Sequence, residues 1–144
     1  LNGDGRTVTR VELTQNCNNP TLALFQHGDG DTSIYGNYYV MDESGTVLAS
    51  SGYAYYQGSA GNWFPHSGRL VVTIERDTVY WIGYQNDSSG DMCCPSNYPD
   101  GDTRTVGVAT FDSPRAHKPG TTSLGLPDSS HATNEQSRWR IDCE

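Results

Sequence analysis

Positions 50 to 68 concentrate aromatic side chains among glycines, and they contain the residues with the clearest potential to bind a ligand. Tyrosine and tryptophan bind sugars because the apolar face of a pyranose covers the ring, while its hydroxyl groups bond to nearby amides. The candidate ligand-binding residues are Tyr53, Tyr55, Tyr56, Gln57, Asn62 and Trp63. The same composition suits a protein–protein interface or the core of a β-protein, because aromatic residues anchor both.

The alternation of side chains along a strand separates these tyrosines into two sets. Tyr53 and Tyr55 would lie on one face of the strand, and Tyr56 would lie on the other face. The pattern favours packing in a core for most of these aromatic residues. Tyr55 and Tyr56, which lie beside glycines, are the better candidates for an exposed platform, and Trp63 is the better candidate for the core.

Clusters of aspartate and glycine offer oxygen ligands that Ca²⁺ prefers. The candidate ligands are Asp29, Asp31, Asp100 and Asp102. None of these clusters satisfies the EF-hand pattern. In a loop that begins at Asp29 and Asp31, the pattern requires glycine at position 34, where this chain has Ile34. Turns are rich in the same residue types, so turn formation is the alternative explanation. Calcium is the one cofactor that the sequence suggests.

The four cysteines predict disulfide bonds and an oxidising compartment. Cys93 and Cys94 are adjacent, and a bond between them would need a distorted peptide. We therefore expect each of them to pair with one of the distant residues Cys17 and Cys143. A vicinal Cys93–Cys94 ring together with a Cys17–Cys143 bond is the alternative. Asn86 begins an Asn-Asp-Ser sequon and is a candidate glycosylation site.

The charge of the chain excludes some partners. Its net charge is −8 with a single lysine, so we expect no binding to nucleic acid, and no apolar run is long enough for membrane insertion. Because position 1 is Leu rather than Met, we expect a processed or excised chain. These features together predict a secreted or cell-surface location.

Catalytic motifs are missing from the sequence: it contains no nucleophile elbow, no His-Glu-x-x-His and no phosphate-binding loop. The four histidines lie in separate loop-like stretches. We therefore expect a protein without enzymatic activity.

Short alternating segments separated by turn residues predict an all-β chain, an antiparallel β-sandwich with one domain over 1–144. Strands are predicted over Thr7–Cys17 and 21–26. Hairpins are predicted to close near Asp42–Gly45, near Arg76–Asp77 and within 103–111, and the last strand lies near 137–142. The stretch 112–136 is rich in Pro, Gly, Ser and Thr, which predicts a long irregular C-terminal extension, a loop or arm before the final strand.

The order "YGNYYVMDESGTVLASSG", then a segment with Gly and Trp, then "LVVTIERDTVYWIGYQ" resembles a domain of secreted bacterial glycan-active enzymes and surface adhesins. The resemblance covers about Val8 to Phe111 and implies a jelly-roll-like fold without a catalytic assignment. The chain departs from it by its Arg-Asp turn, its cysteine-rich insertion and its C-terminal extension.

Two functions fit these observations. The first is a non-catalytic module that binds a glycan or an extracellular protein surface, assisted by calcium. The second is a structural subunit of an extracellular filament, a homo-oligomer in which the 112–136 arm adds a strand to a neighbouring sheet.

Overall fold

The computed structural model describes residues 5–26, 32–59, 62–86, 97–98, 103–117, 124–129 and 136–144. These residues form β-strands and, within the ranges just given, no α-helix, so the predicted all-β class is confirmed. The same ranges contain no helix that is long and apolar enough to span a membrane. The strands are β1 (Arg6–Leu13), β2 (Cys17–Asn18), β3 (Thr21–Gln26), β4 (Thr32–Asp42), β5 (Val47–Ser50), β6 (Ala54–Gly58), β7 (Asn62–Trp63), β8 (Thr73–Ile74), β9 (Val79–Asn86), β10 (Asn97–Tyr98), β11 (Arg104–Val106), β12 (Ala109–His117), β13 (Gln136–Ser137) and β14 (Trp139–Asp142).

The largest sheet has seven strands in the order β11-β12-β1-β9-β4-β5, and β6 pairs with the first half of β4. A three-stranded sheet has the order β14-β3-β7, and the pairs β2–β8 and β10–β13 form two small sheets. All the described pairings are antiparallel. Within the large sheet, β9 is bonded to β1 and β4, and β4 is bonded on its other side to β5 and β6.

Strand β4 is buried on both of its faces. Tyr38 and Val40 point toward one side, here called the inner face, and Tyr39 and Met41 point toward the opposite, outer face. All four side chains are 0% exposed. A strand that is apolar on both sides must be covered on both sides, and two different parts of the chain supply the covers.

The three-stranded sheet covers the inner face. The ring of Tyr38 contacts those of Tyr84 on β9 and Trp139 on β14, with centroids 4.9 and 6.3 Å away. The Tyr38 hydroxyl donates a hydrogen bond of 3.0 Å to the carbonyl oxygen of Pro65. Because Trp139 belongs to the three-stranded sheet, these contacts join the two sheets through one aromatic cluster.

Residues 124–127, here called the outer cover, lie on the outer face. Leu124 and Leu126 pack against the cluster that contains Tyr39 and Trp81. The Tyr39 hydroxyl donates to the carbonyl oxygen of Gly125 at 3.2 Å, and a guanidinium nitrogen of Arg115 donates to that of Pro127 at 3.0 Å.

The predicted arm over 112–136 begins later than expected. Strand β12 continues to His117 and pairs with β1, with an irregularity opposite Thr9 where Ser113 has a φ of 46°. The prediction was wrong here because a polar, proline-containing strand with an irregularity does not show the alternation of a regular strand. The outer cover packs on the chain's own sheet, and residues 118–123 and 130–135 of the predicted arm lie outside the described residues.

The hairpin predicted at Asp42–Gly45 is confirmed between β4 and β5. The Asp42 carboxylate accepts hydrogen bonds from the Ser44 hydroxyl and from the N–H groups of Ser44 and Thr46. These bonds, chiefly the one from the Ser44 hydroxyl, lower the pKa of Asp42. Gly45 has a φ of 92°, which glycine adopts without strain.

The prediction of a hairpin at Arg76–Asp77 is wrong, because the two strands on either side of this turn do not pair with each other. The chain turns there, and Asp77 has a φ of 55°, but β8 pairs with β2 rather than with β9. The hairpin predicted within 103–111 is confirmed between β11 and β12. The strand predicted near 137–142 corresponds to β14, which pairs with β3.

A disulfide joins Cys17 to Cys143, with Cα atoms 5.1 Å apart. The favoured pairing, in which Cys93 and Cys94 bond to these two residues, is therefore wrong. The pairing of Asp142 with Thr21 brings the chain end beside the segment that follows Cys17, so these two cysteines meet. The vicinal Cys93–Cys94 bond of the alternative lies outside the described residues.

We expect the double substitution Cys17→Ala and Cys143→Ala to lower the free energy of unfolding by about 4–5 kcal/mol, because the bond closes a loop of more than a hundred residues. Urea denaturation measures this loss. Peptide mapping without reductant should recover Cys17 linked to Cys143, and a link from Cys17 to Cys93 or Cys94 would contradict the structure.

Candidate functional site

Three tyrosines lie exposed together on the outer face of the large sheet. Tyr35, Tyr53 and Tyr55, here called the tyrosine patch, are 47%, 41% and 53% exposed. Tyr35 on β4 is directly opposite Tyr55 on β6 in the strand register. Their ring centroids are 5.2 Å apart, and the rings are tilted by 57°. The strand pairing therefore holds two aromatic rings side by side at the protein surface.

Tyr53 joins this group from the segment just before β6. Burial strongly raises the pKa of Tyr39 on the outer face, and Arg6 lowers it by a smaller amount. Tyr53 adds a further, smaller upward shift. It lies two positions before Tyr55, so the alternation of side chains directs it toward the same face. Gln57 is exposed and lies two positions beyond Tyr55 on β6, so it shares the same face.

Ser51 fixes the path of the chain into the tyrosine patch. Its hydroxyl oxygen accepts a hydrogen bond from the Tyr38 N–H at 3.0 Å, and the hydroxyl lies within bonding distance of the Asn37 amide oxygen and the Gly52 carbonyl oxygen. Gly52 then turns the chain with a φ of 71°. This turn leads from β5 to β6 and delivers Tyr53 and Tyr55 to the same edge of the sheet.

Tyr56 is not part of the exposed surface. It is 8% exposed on the inner face, where its ring contacts Tyr38 and Phe64 at centroid distances of 5.7 and 5.6 Å. Burial raises the pKa of its phenol, and a hydrogen bond with Ser51 opposes that shift. The predicted separation of Tyr56 from Tyr53 and Tyr55 is confirmed, but the prediction that Tyr56 belongs to an exposed platform is wrong.

Trp63 is half-buried on the three-stranded sheet, so its predicted place in the core is wrong. Its ring meets Phe25 edge-on at 5.3 Å, and the guanidinium of Arg140 lies 5.1 Å from its centroid. The buried tryptophans are Trp81 and Trp139, each 4% exposed. Asn62, the neighbour of Trp63 on β7, is exposed. Trp63 and Asn62 thus lie on a different sheet from the tyrosine patch.

The remaining predicted sites have separate outcomes. The calcium candidates Asp29, Asp31, Asp100 and Asp102 lie outside the described residues. Among the residues that the structure does describe, no group of three His, Cys, Asp or Glu side chains could hold a metal ion. Asn86, at the end of β9, is 0% exposed, so a glycan on its amide would require this side chain to leave its buried position.

Sequence reasoning missed Tyr35. Its position in β4 has the same parity as Tyr39, but the sequence does not show that β6 pairs with the first half of this strand. Only the register that sets Tyr35 opposite Tyr55 brings these two rings together.

The comparisons with known proteins add no relative. No family model, no curated protein and no solved structure matches the chain.

Tyr55 and Tyr56 form a matched pair for testing which face is exposed. We expect Tyr56→Ala to lower the free energy of unfolding by about 3–5 kcal/mol because it leaves a cavity in the core. Tyr55→Ala should cost about 1 kcal/mol or less, since its ring is largely in solvent. Urea denaturation of the two variants measures both values, and equal losses would contradict the assignment of faces.

Proposed function

We propose that this chain is a secreted, non-catalytic binding module that recognises glycan through the tyrosine patch, with calcium assisting. The observation that carries the proposal is the pair Tyr35 and Tyr55, two exposed rings held 5.2 Å apart by paired strands. Exposed aromatic rings are costly to keep in water, and a set of three on one face is typical of a binding surface.

The geometry of the tyrosine patch favours an oligosaccharide over a single sugar. Rings tilted by 57° cannot both lie flat against one pyranose. One sugar would stack on Tyr55 and the next would contact Tyr35, while the Gln57 amide offers a donor and an acceptor to hydroxyl groups. The rings need little ordering on binding, because each has few rotatable bonds and neighbouring strands support them.

Other features agree with this function. We propose a jelly-roll-like β-sandwich, which the packing of the three-stranded sheet on the large sheet supports. The Cys17–Cys143 bond is compatible with an extracellular location. The net charge of −8 favours a neutral or cationic partner over an anionic polymer. The filament alternative has less support, since residues 112–117 pair with β1 and residues 124–127 pack on the outer face of their own chain.

A glycan array followed by calorimetry tests the proposal. We expect saturable binding of an oligosaccharide, and Tyr35→Ala and Tyr55→Ala should each weaken it by about 1–3 kcal/mol, the typical cost of removing an anchor ring. Tyr55→Phe keeps the ring and should retain most of the affinity. Leu48→Ala, on an exposed residue of β5, is the surface control and should have no effect.

Two results would count against the proposal. The first is the absence of saturable binding both with calcium and with a chelator. The second is binding that Tyr35→Ala and Tyr55→Ala leave unchanged. Binding that is lost only in the chelator would assign calcium its assisting role.

A further inference from the structure

A groove of about 510 Å³ opens between the tip of the β11–β12 hairpin and strand β14. This volume lies within the range of small-molecule sites in proteins, roughly 300–1,000 Å³. The hairpin contributes Val106, Gly107 and Val108, and β14 contributes its length from Trp139 to Ile141. The groove therefore lies where the edge of the large sheet faces the edge of the three-stranded sheet.

The floor of the groove is apolar and held in place. Trp139 and Phe111 are each 4% exposed and belong to the main core cluster. The indole N–H of Trp139 donates a hydrogen bond of 3.0 Å to the Thr9 hydroxyl on β1. Because this bond ties β14 to the large sheet, the floor is formed before any ligand arrives. Such a floor suits the apolar body of a ligand.

Two arginines line the same groove. The guanidinium of Arg138 lies 4.5 Å from the centroid of Phe25, and that of Arg140 lies 5.1 Å from the centroid of Trp63. An arginine that stacks on an aromatic face directs its N–H groups sideways, in the plane that suits a carboxylate. Nε of Arg140 donates a 3.0 Å bond to the Asp142 carboxylate, and this ion pair uses one of the five N–H donors of the guanidinium.

We propose that this groove binds a small amphiphile with an apolar body and one carboxylate, such as a fatty acid of medium chain length. The apolar floor would take the hydrocarbon, and the arginines would take the carboxylate. Charge complementarity favours this occupant, because two guanidinium groups line one apolar groove and Arg140, whose Nε bonds to Asp142, still offers the N–H groups of its two terminal nitrogens to a second carboxylate. The site is on a different surface from the tyrosine patch and does not depend on the proposed function.

Titration with decanoate, decanol and decylamine tests both parts of the site. The three probes share a hydrocarbon tail and differ in the charge of the head group. We expect decanoate to bind at one site per chain, about tenfold or more tighter than decanol, because a charged partner strengthens a hydrogen bond. Decylamine should bind most weakly. Equal affinity for all three, or no binding of decanoate below its micellar concentration, would overturn the proposal.

Substitutions on exposed residues locate the site. Val106 is 52% exposed beside the groove, whereas Val71 is 86% exposed and does not line it. We expect Val106→Glu to weaken decanoate binding about tenfold or more by repulsion, and Val71→Glu, which adds the same charge, to leave it unchanged. Equal effects of the two variants would assign binding to net charge alone and overturn the site.

A second matched pair tests the arginines and covers the case in which Val106→Glu fails to fold. Arg140→Gln should weaken decanoate about tenfold and leave decanol unchanged, because only the head-group contact is removed. Arg76→Gln, at an exposed turn outside the groove, removes the same charge and should change neither affinity. A loss for decanoate and decanol alike in Arg140→Gln would contradict the assigned role of that residue.

Discussion

The contact between tyrosine rings and glycine backbone in the β4–β9 pair is the constraint on which the rest of this structure depends. Gly83 on β9 is directly opposite Tyr39 on β4, and the Tyr39 ring lies across it so closely that a Cβ atom at Gly83 would collide with the ring. On the other face, the ring of Tyr84 lies across Gly36 in the same way. Because neither glycine has a Cβ atom, the neighbouring aromatic ring can lie against the backbone of the sheet.

The two rings lie on opposite faces of the sheet, Tyr84 on the inner face and Tyr39 on the outer face. Each ring contributes to the apolar cluster that buries β4 and β9 on its own face. The Tyr84 ring, flat over Gly36, meets Tyr38 and Phe64 in the inner core that joins the two sheets. The Tyr39 ring, flat over Gly83, leaves its hydroxyl directed at the Gly125 carbonyl oxygen, so the outer cover can bond to it. The tyrosine patch lies at the half of β4 that pairs with β6.

The sequence predicted the local features of the fold better than its long-range ones. The β4–β5 turn was predictable because Asp42 and Gly45 stabilise it within one short segment. The pairing of β8 with β2 was not predictable, because a strand of two residues carries no information about which other strand it pairs with. The disulfide depended on the β3–β14 pairing, which brings together residues more than a hundred positions apart. The end of β12 was missed because Ser113 and Pro114 interrupt the expected alternation.

In the candidate site, too, the local features could be predicted from the sequence and the long-range ones could not. Alternation alone separates Tyr55 from Tyr56, but it does not show which of the two faces is covered, and for this reason the predicted platform wrongly includes Tyr56. The prediction of a core position for Trp63 relies on the usual burial of large aromatic residues, whereas this ring packs on Phe25 and Arg140 at the outside of the smaller sheet. Tyr35 needed the register of β4 with β6, which is a tertiary property.

The free energy of unfolding of Gly83→Ala, compared with that of Gly125→Ala, tests the central constraint most directly. A Cβ atom at Gly125 would make only an ordinary contact with Arg6, at 3.5 Å, whereas at Gly83 it would meet the Tyr39 ring. We expect Gly83→Ala to lose about 1–3 kcal/mol, the usual cost of overpacking a core, and Gly125→Ala to remain within about 0.5 kcal/mol of the parent chain. A Gly83→Ala variant as stable as the parent would contradict the account, because the Tyr39 ring could not then lie across the backbone of β9.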